Sequence, residues 1–175
     1  MKKIAAGDRI KERTLETIQS SSIPVPSPDH ITHLQFRRFS GCPICNLHIQ
    51  PFIRRYKELE QSGIREVIVF HSSGNTMLRH HVDTPFPMIA DPGKILYKEF
   101  GVEASILSLL HPRALSAAMR GTFRHGVGLP GFGETPFGRP ADFLIDQKGK
   151  ILACKYGVHA YDQWTVDEVL ALVNH

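Results

Sequence analysis

Between residues 31 and 100 the apolar residues switch repeatedly between a two-residue and a 3.6-residue period, and this alternation narrows the fold more than any other feature. Ile31–Phe39 reads as a strand, with Leu34 and Phe36 pointing one way and Gln35 and Arg37 the other. Cys45, Ile49, Phe52, Ile53, Tyr56 and Leu59 then recur at three- and four-residue steps, the pattern of an amphipathic helix. Pro43 suits its first turn, Pro51 should bend it, and Gly63 ends it. Arg65–His71 holds the run Val67-Ile68-Val69-Phe70, a short strand apolar on both faces, as parallel sheets require. A helix over Ser72–Val82, a strand over Phe86–Ala90 and a helix over Lys94–Phe100 continue the series. Strands and helices in alternation predict an α/β fold with right-handed crossovers.

The flanks complete the expected domain. Ala141–Asp146 and Lys150–Tyr156, joined by Gln147-Lys148-Gly149, read as an antiparallel hairpin, and Trp164–Val173 as a closing amphipathic helix. Within residues 1–30, Thr14–Ile18 and Ile23–Val25 suit a marginal hairpin beside the main sheet. Residues 102–139 form an insertion. Ala104–Met119 is helix-like but split by Pro112, and Gly121–Gly138 carries six glycines, too loose to build core. Long irregular segments in compact domains tend to be functional, which suggests a lid or rim over a site.

At 175 residues with 42% hydrophobic content, the chain suits one domain, residues 1–175. Its formal charge is only +4. Basic pairs such as Arg37-Arg38 and Arg54-Arg55 read as solvated surface rather than a nucleic-acid stripe. No apolar run reaches the length of a membrane span, and the short apolar stretch after Lys2-Lys3 is too brief for a signal peptide. The cytoplasm is the expected compartment. Three cysteines cannot pair completely, and stable disulfides are rare in a reducing compartment, so catalysis, metal binding or plain burial remain open to them.

Cys42-Pro43-Ile44-Cys45 falls at a strand-to-helix junction, where positions i and i+3 share one helical face and two sulfurs can close a disulfide. Cys42, at the helix N-terminus, meets unpaired N–H groups and the positive end of the dipole, which favour its thiolate and make it the natural nucleophile. Cys45, a turn further in, should be more buried and titrate higher, as suits a resolving thiol. A zinc site would need a second ligand pair, and Cys154 has no suitably spaced partner. Two inert core cysteines would leave the proline between them unexplained.

The strand followed by Gly41-Cys42-Pro43-Ile44-Cys45-Asn46, with the later Pro140-Ala141-Asp142-Phe143-Leu144-Ile145-Asp146 and its glycine turn, resembles the thioredoxin superfamily. Within it the chain is most similar to peroxiredoxin-like proteins of the alkyl hydroperoxide reductase/thiol-specific antioxidant group, over roughly residues 10–173. The resemblance implies a central mixed sheet flanked by helices, with Cys42 as the attacking and Cys45 as the second cysteine. It also implies that Pro140 matches the proline before the fourth core strand, which has a cis peptide in thioredoxin-like folds, so that Arg139–Pro140 should be cis. No metal or organic cofactor is implied. The implied partners are a hydroperoxide or disulfide substrate and an external thioredoxin- or glutaredoxin-like dithiol reductant, and homodimers occur in the group.

The chain departs from the typical pattern in two places. The threonine that helps hold peroxide in Pro-x-x-x-Thr-x-x-Cys is replaced by Phe39, with Gln35 at the proline position, and Pro140 stands where peroxiredoxins carry an arginine. Arg139 or Arg38 is the candidate substitute for that charge. Asp142 shares a strand face with Pro140, and is read either as a structural cap on the hairpin edge or as a proton acceptor near the cysteines. Gly126-x-Gly128-x-x-Gly131 lacks the strand and helix of a dinucleotide site, and His71 beside Ser72 and Ser73 lacks a nucleophile elbow. His30 with His33, and His80 with His81, read as surface residues rather than metal ligands. The expected activity is reduction of hydroperoxides through the cysteine pair. Thiol-disulfide exchange on protein disulfides, or a redox-inert binding module, are the alternatives.

Overall fold

The expected alternation folds into a five-stranded mixed sheet. The computed structural model describes residues 3–81, 83–102, 112–125 (backbone only for 123–125), 130–131 and 134–174. A hairpin of β1 (Arg13–Glu16) and β2 (Ser22–Val25) precedes the central strand β3 (Ile31–Phe36). Helices α1 (Pro43–Arg54) and α2 (Tyr56–Gln61) cross to β4 (Ile64–Phe70), and α3 (Gly74–His81) crosses to β5 (Met88–Ala90). After α4 (Ile95–Glu99) and α5 (Pro112–His125), the antiparallel pair β6 (Ala141–Ile145) and β7 (Ile151–Tyr156) leads to α6 (Val166–Val173). The sheet order is β5-β4-β3-β6-β7, with β3 parallel to β4 and antiparallel to β6.

Both sheet faces are covered. On one, Ile49 and Phe52 of α1, Leu59, Met77, Ala117 of α5 and Val169 of α6 pack with Ile68 and Leu144. On the other, Ile23 and Val25 of the hairpin and Leu96 and Tyr97 join Leu34, Phe36, Val69 and Phe143. β3 therefore has no solvent face. The strand-period split into Leu34/Phe36 and Gln35/Arg37 holds, but the polar set is as buried as the apolar one.

Several boundaries differ from the sequence reading for local reasons. β3 stops at Phe36 rather than Phe39, and beyond it the Arg37 N–H donates to Val69 O at 2.9 Å and Arg38 O accepts from the His71 N–H at 3.3 Å. Pro51 lies inside α1, and the helix gives way four residues later at Arg55, whose N–H donates to Pro51 O. α6 starts two residues later than expected because Thr165 and Glu168 form a reciprocal capping box. Pro112 is the first described residue of α5, so the helix expected before it, and the split at Pro112, lie outside the described residues. The helix continues through Gly121, which is buried, so the first part of the glycine-rich stretch does build core. Residues 104–111 and the Gly126/Gly128 part of the glycine motif lie outside the described residues.

The cis peptide expected at Arg139–Pro140 is instead at Val25–Pro26. Among the described residues, no helix is long and apolar enough to cross a membrane, and no group of three or more potential ligands could hold a metal ion.

Candidate active site

Cys42 is the N-cap of α1. Its extended backbone lets Sγ turn back to accept the Cys45 N–H at 3.3 Å, so the sulfur fills the role that a serine or aspartate oxygen usually plays. The turn that delivers it is pinned on three sides. The Cys42 N–H donates to Phe39 O, the Ser40 N–H to Ser72 Oγ at 2.8 Å, and His81 Nε2 to Ser40 O at 3.1 Å. Pro43 occupies the first helical position, where α5 presses on it: a Cβ added to Gly121 would lie 2.7 Å from the Pro43 carbonyl carbon and closer still to its oxygen.

Arg38 reaches the same sulfur. Its Nη2 donates to Cys42 Sγ at 2.7 Å, while Nη1 donates to Pro136 O at 2.7 Å, so the end of the glycine-rich segment orients the guanidinium. That segment is tied down in turn, because the Thr135 N–H donates to His71 Nε2 at 3.1 Å. Gly138 passes close enough that an added Cβ would touch Arg38 Cγ at 3.4 Å.

Both thiols are free, and both are fully buried at 0% exposure, whereas the sequence suggested that Cys45 would be the more buried of the two. The expected division of ionisation also changes. Burial raises the Cys45 thiol, but its hydrogen bond with Cys42 and the charges of Arg38 and Arg37 outweigh that and bring it to about 6. Burial, the hydrogen bond to Cys45 and the charge there hold Cys42 well above the ordinary thiol value despite Arg38. The two sulfurs form one titrating unit that loses its first proton readily and keeps its second. The helix dipole alone does not decide the matter, because both sulfurs sit out of water.

Arg37 and Arg38, expected on a solvated surface, are both buried. The Arg37 side chain lies on the α1 side of β3, fully enclosed, with Nη2 donating to Asp142 Oδ1 at 3.0 Å and to Gln35. Asp142 is not at a hairpin edge: its other oxygen accepts the Trp164 N–H at 3.3 Å. His33, expected at the surface, is buried too. Its Nδ1 lies 2.9 Å from Glu66 and its Nε2 3.6 Å from Asp142. Burial lowers His33, but Glu66 and Asp142 more than compensate and raise it to about 9. His48, one turn after Cys45, donates from Nε2 to Trp164 O and is pushed down to about 3 by burial and by Arg37.

The structure thus brings Cys42, Cys45, Pro43 and Arg38 together, with Asp142 linked through Arg37. Pro140 is buried against Gly157, and Arg139 is half-buried with its Nε unpartnered. Cys154 is on β7, its Sγ 3.6 Å from Ile4 O. A cavity of about 300 Å³ between α1 and α3, lined by Asn46, Gln50, Arg79 and His80, includes neither Cys42 nor Cys45. Arg37 escaped the sequence reading, although its parity with Gln35 and His33 on a strand covered on both faces was the available signal.

The model of the AhpC/TSA antioxidant enzymes matches residues 52–159, a span that begins after the cysteine pair and includes Arg139, Pro140 and Asp142. No curated protein matches the chain. Among solved structures, it is similar to peroxidoxin BcpB from Mycobacterium tuberculosis, with 16% identity, 98% of this chain and 97% of that one covered and a TM-score of 0.70. A cysteine-to-serine mutant of PrxQ from Xylella fastidiosa gives 16% identity, 99% and 98% coverage and a TM-score of 0.73. A thiol:disulfide interchange protein DsbE from Chlorobium tepidum gives 17%, 97% and 99%, and 0.62. At such identities these likenesses speak to the fold, which is the thioredoxin-like fold of peroxiredoxins. With the family model spanning well over half of its length, the chain belongs to the AhpC/TSA antioxidant enzymes, peroxiredoxin-like thiol-dependent oxidoreductases of the thioredoxin superfamily.

Proposed function

We propose that the chain reduces hydroperoxides through Cys42 and Cys45. The observation that carries this reading is the Arg38 guanidinium on Cys42 Sγ inside an enclosed site. A cation there stabilises the sulfur anion, and can stabilise the negative charge that develops on a leaving oxygen. Complete burial of Cys42 also favours a small substrate over a protein disulfide, whose own backbone would have to reach the sulfur.

The pair holds one proton on two hydrogen-bonded sulfurs, and moving it across that bond leaves Cys42 anionic. Cys42 Sγ attacks one peroxide oxygen, the O–O bond breaks, and the departing alkoxide takes up the proton now held on Cys45 Sγ and leaves as an alcohol. The Cys42 sulfenic acid is then attacked by the deprotonated Cys45 Sγ, and hydroxide leaves as water. Two thiols and one hydroperoxide thus give a disulfide, an alcohol and water. An external dithiol of the thioredoxin or glutaredoxin type restores the reduced pair.

Thiol-disulfide exchange is the second reading, favoured by Phe39 at the position where peroxiredoxins hold a peroxide-binding threonine. Stopped-flow oxidation of the reduced protein by hydrogen peroxide and by a small model disulfide separates the two. Peroxide should react far faster than with a free thiolate, producing a Cys42–Cys45 disulfide seen by mass spectrometry, and Cys42→Ser should abolish the reaction. A peroxide rate no greater than that of a free thiolate removes the peroxidase reading.

A further inference from the structure

Arg38 acts on both sulfurs, on Cys42 by a hydrogen bond and on Cys45 by its charge. A second arginine, which the reaction described above leaves unused, lies beneath α1. Arg37 is fully buried, and two of its nitrogens, Nε and Nη1, have no hydrogen-bond partner, a costly arrangement for a guanidinium. Its place follows from strand and helix periodicity. His33, Gln35 and Arg37 alternate onto the face of β3 that lies under α1, where the His33 ring packs 5.7 Å from Phe52. Cys45, His48, Ile49 and Phe52 form the buried stripe of α1. Asp142, which accepts from Arg37 Nη2 at 3.0 Å, also accepts the Trp164 N–H, and Trp164 O accepts from His48 Nε2 at 3.0 Å, so hydrogen bonds tie Arg37 to the α1 turn that follows Cys45.

We propose that Arg37 is a positioning residue for the reductive half of the cycle, a second buried cation that receives the charge when Cys45 leaves as a thiolate, with Asp142 setting how much of that charge is felt. This inference rests on the Cys42–Cys45 redox reading. When an external dithiol reduces the disulfide, its thiolate bonds to Cys42 Sγ, the Cys42–Cys45 bond breaks and the electron pair goes to Cys45 Sγ. The second thiol of the reductant, once deprotonated, then attacks the mixed disulfide, releasing Cys42 as a thiolate and the reductant as its own disulfide. The first of these steps places a new anion on a sulfur with no access to water. Water cannot stabilise it, so a fixed cation has to. The groups acting on Cys45 are Cys42 across the pair, Arg38 on the loop before α1 and Arg37 just after β3, and Cys45 in turn acts on Tyr97 of α4. Asp142 on β6 faces Arg37, His33 of β3 and His48 of α1. Asp142 holds Arg37 in place and opposes its field.

The arrangement makes two substitutions act in opposite directions. Arg37→Gln removes the cation, so reduction of the protein disulfide by dithiothreitol should slow roughly three- to tenfold, because a leaving thiol of higher pKa departs more slowly. Cys45 ionisation, followed by thiolate absorbance in a Cys42→Ser background, should move upward by about one pH unit or more. Arg37→Lys should restore most of both. Asp142→Asn leaves Arg37 less opposed, so reduction should speed up and the Cys45 ionisation should fall. A generally loosened core would move both substitutions the same way, and that result, or failure of Arg37→Lys to rescue, overturns the proposal. If Arg37→Gln does not fold, the Arg37→Lys and Asp142→Asn measurements decide by the same signs. If the wild-type protein forms no Cys42–Cys45 disulfide with peroxide, the redox reading is what fails. The ionisation measurements still judge Arg37 independently.

Discussion

Gly121→Ala tests whether α5 is what seals the cysteine pair. In α5 this glycine faces the first turn of α1, and the new methyl carbon would sit 2.7 Å from the Pro43 carbonyl carbon and 3.0 Å from Pro43 Cβ. Ordinary contact begins at 3.4 Å and the carbonyl oxygen is nearer still, so the two backbones must separate by more than roughly 0.7 Å. Neither side yields easily: one partner is main chain, the other a proline ring. Overpacking of this kind costs about 1–3 kcal/mol, and replacing a helical glycine by alanine returns up to about 1 kcal/mol. Because the clash is with main chain, the overpacking cost lies at the upper end of that range, and a net loss of about 1–2 kcal/mol is expected, corresponding to a fall in Tm of roughly 2–8 °C for a chain of this size. The functional readout is sharper. Moving α5 away from Pro43 should expose Cys42 and Cys45, so alkylation of the reduced protein by iodoacetamide should accelerate several-fold more than unfolding accounts for. If Gly121→Ala leaves Tm at or above the wild-type value and the alkylation rate unchanged, α5 is not the seal.

Arg38→Met should raise the first ionisation of the cysteine pair above its value of about 6, by roughly 1–3 pH units, and slow the peroxide reaction at pH 7 by about tenfold or more. Thiolate absorbance against pH, alongside the stopped-flow rate, checks both; an unchanged ionisation refutes the role given to Arg38. The raised pKa of His33 means that the folded chain holds that proton more tightly than the unfolded one. Its stabilisation is therefore complete below pH 6.5 and is lost as pH rises through about 9. Cys45 has the opposite sign: lowered to about 6, it contributes above its ordinary value of 9.0 and loses that contribution as pH falls through about 6. Urea unfolding of a Cys42→Ser/Cys45→Ser variant should accordingly show stability declining between pH 6.5 and 9, whereas the reduced wild type should be flatter over that range. Thr165→Ala removes one half of the α6 capping box and should cost about 1 kcal/mol by urea unfolding without altering thiol reactivity.

Much of the architecture was legible because it rests on local pattern. The buried run Val67-Ile68-Val69-Phe70 has few ways to be satisfied other than as an inner strand, and Gln147-Lys148-Gly149 provides the turn that β6 and β7 require, with Gly149 at positive φ. The spacing of Cys42 and Cys45 likewise determines that the first caps a helix and the second lies one turn inside it. The sequence pattern could not say on which side of β3 water would be. Parity places Gln35, Arg37 and His33 together, but only the docking of α1 and α6 over that face turns three polar side chains into an enclosed network with Glu66 and Asp142.

What the residues determined alone was therefore the succession of strands and helices, the cysteine pair at a helix start and the residue types able to carry redox chemistry. Tertiary structure decided which charges meet the sulfurs. Arg38 reaches Cys42 because Pro136, nearly a hundred residues away, holds its other nitrogen, and Cys45 ionises readily because packing removes water while leaving two cations nearby. Ionisation inside a protein depends on desolvation and on charges that are close in space, and neither quantity is a property of nearest neighbours along the chain.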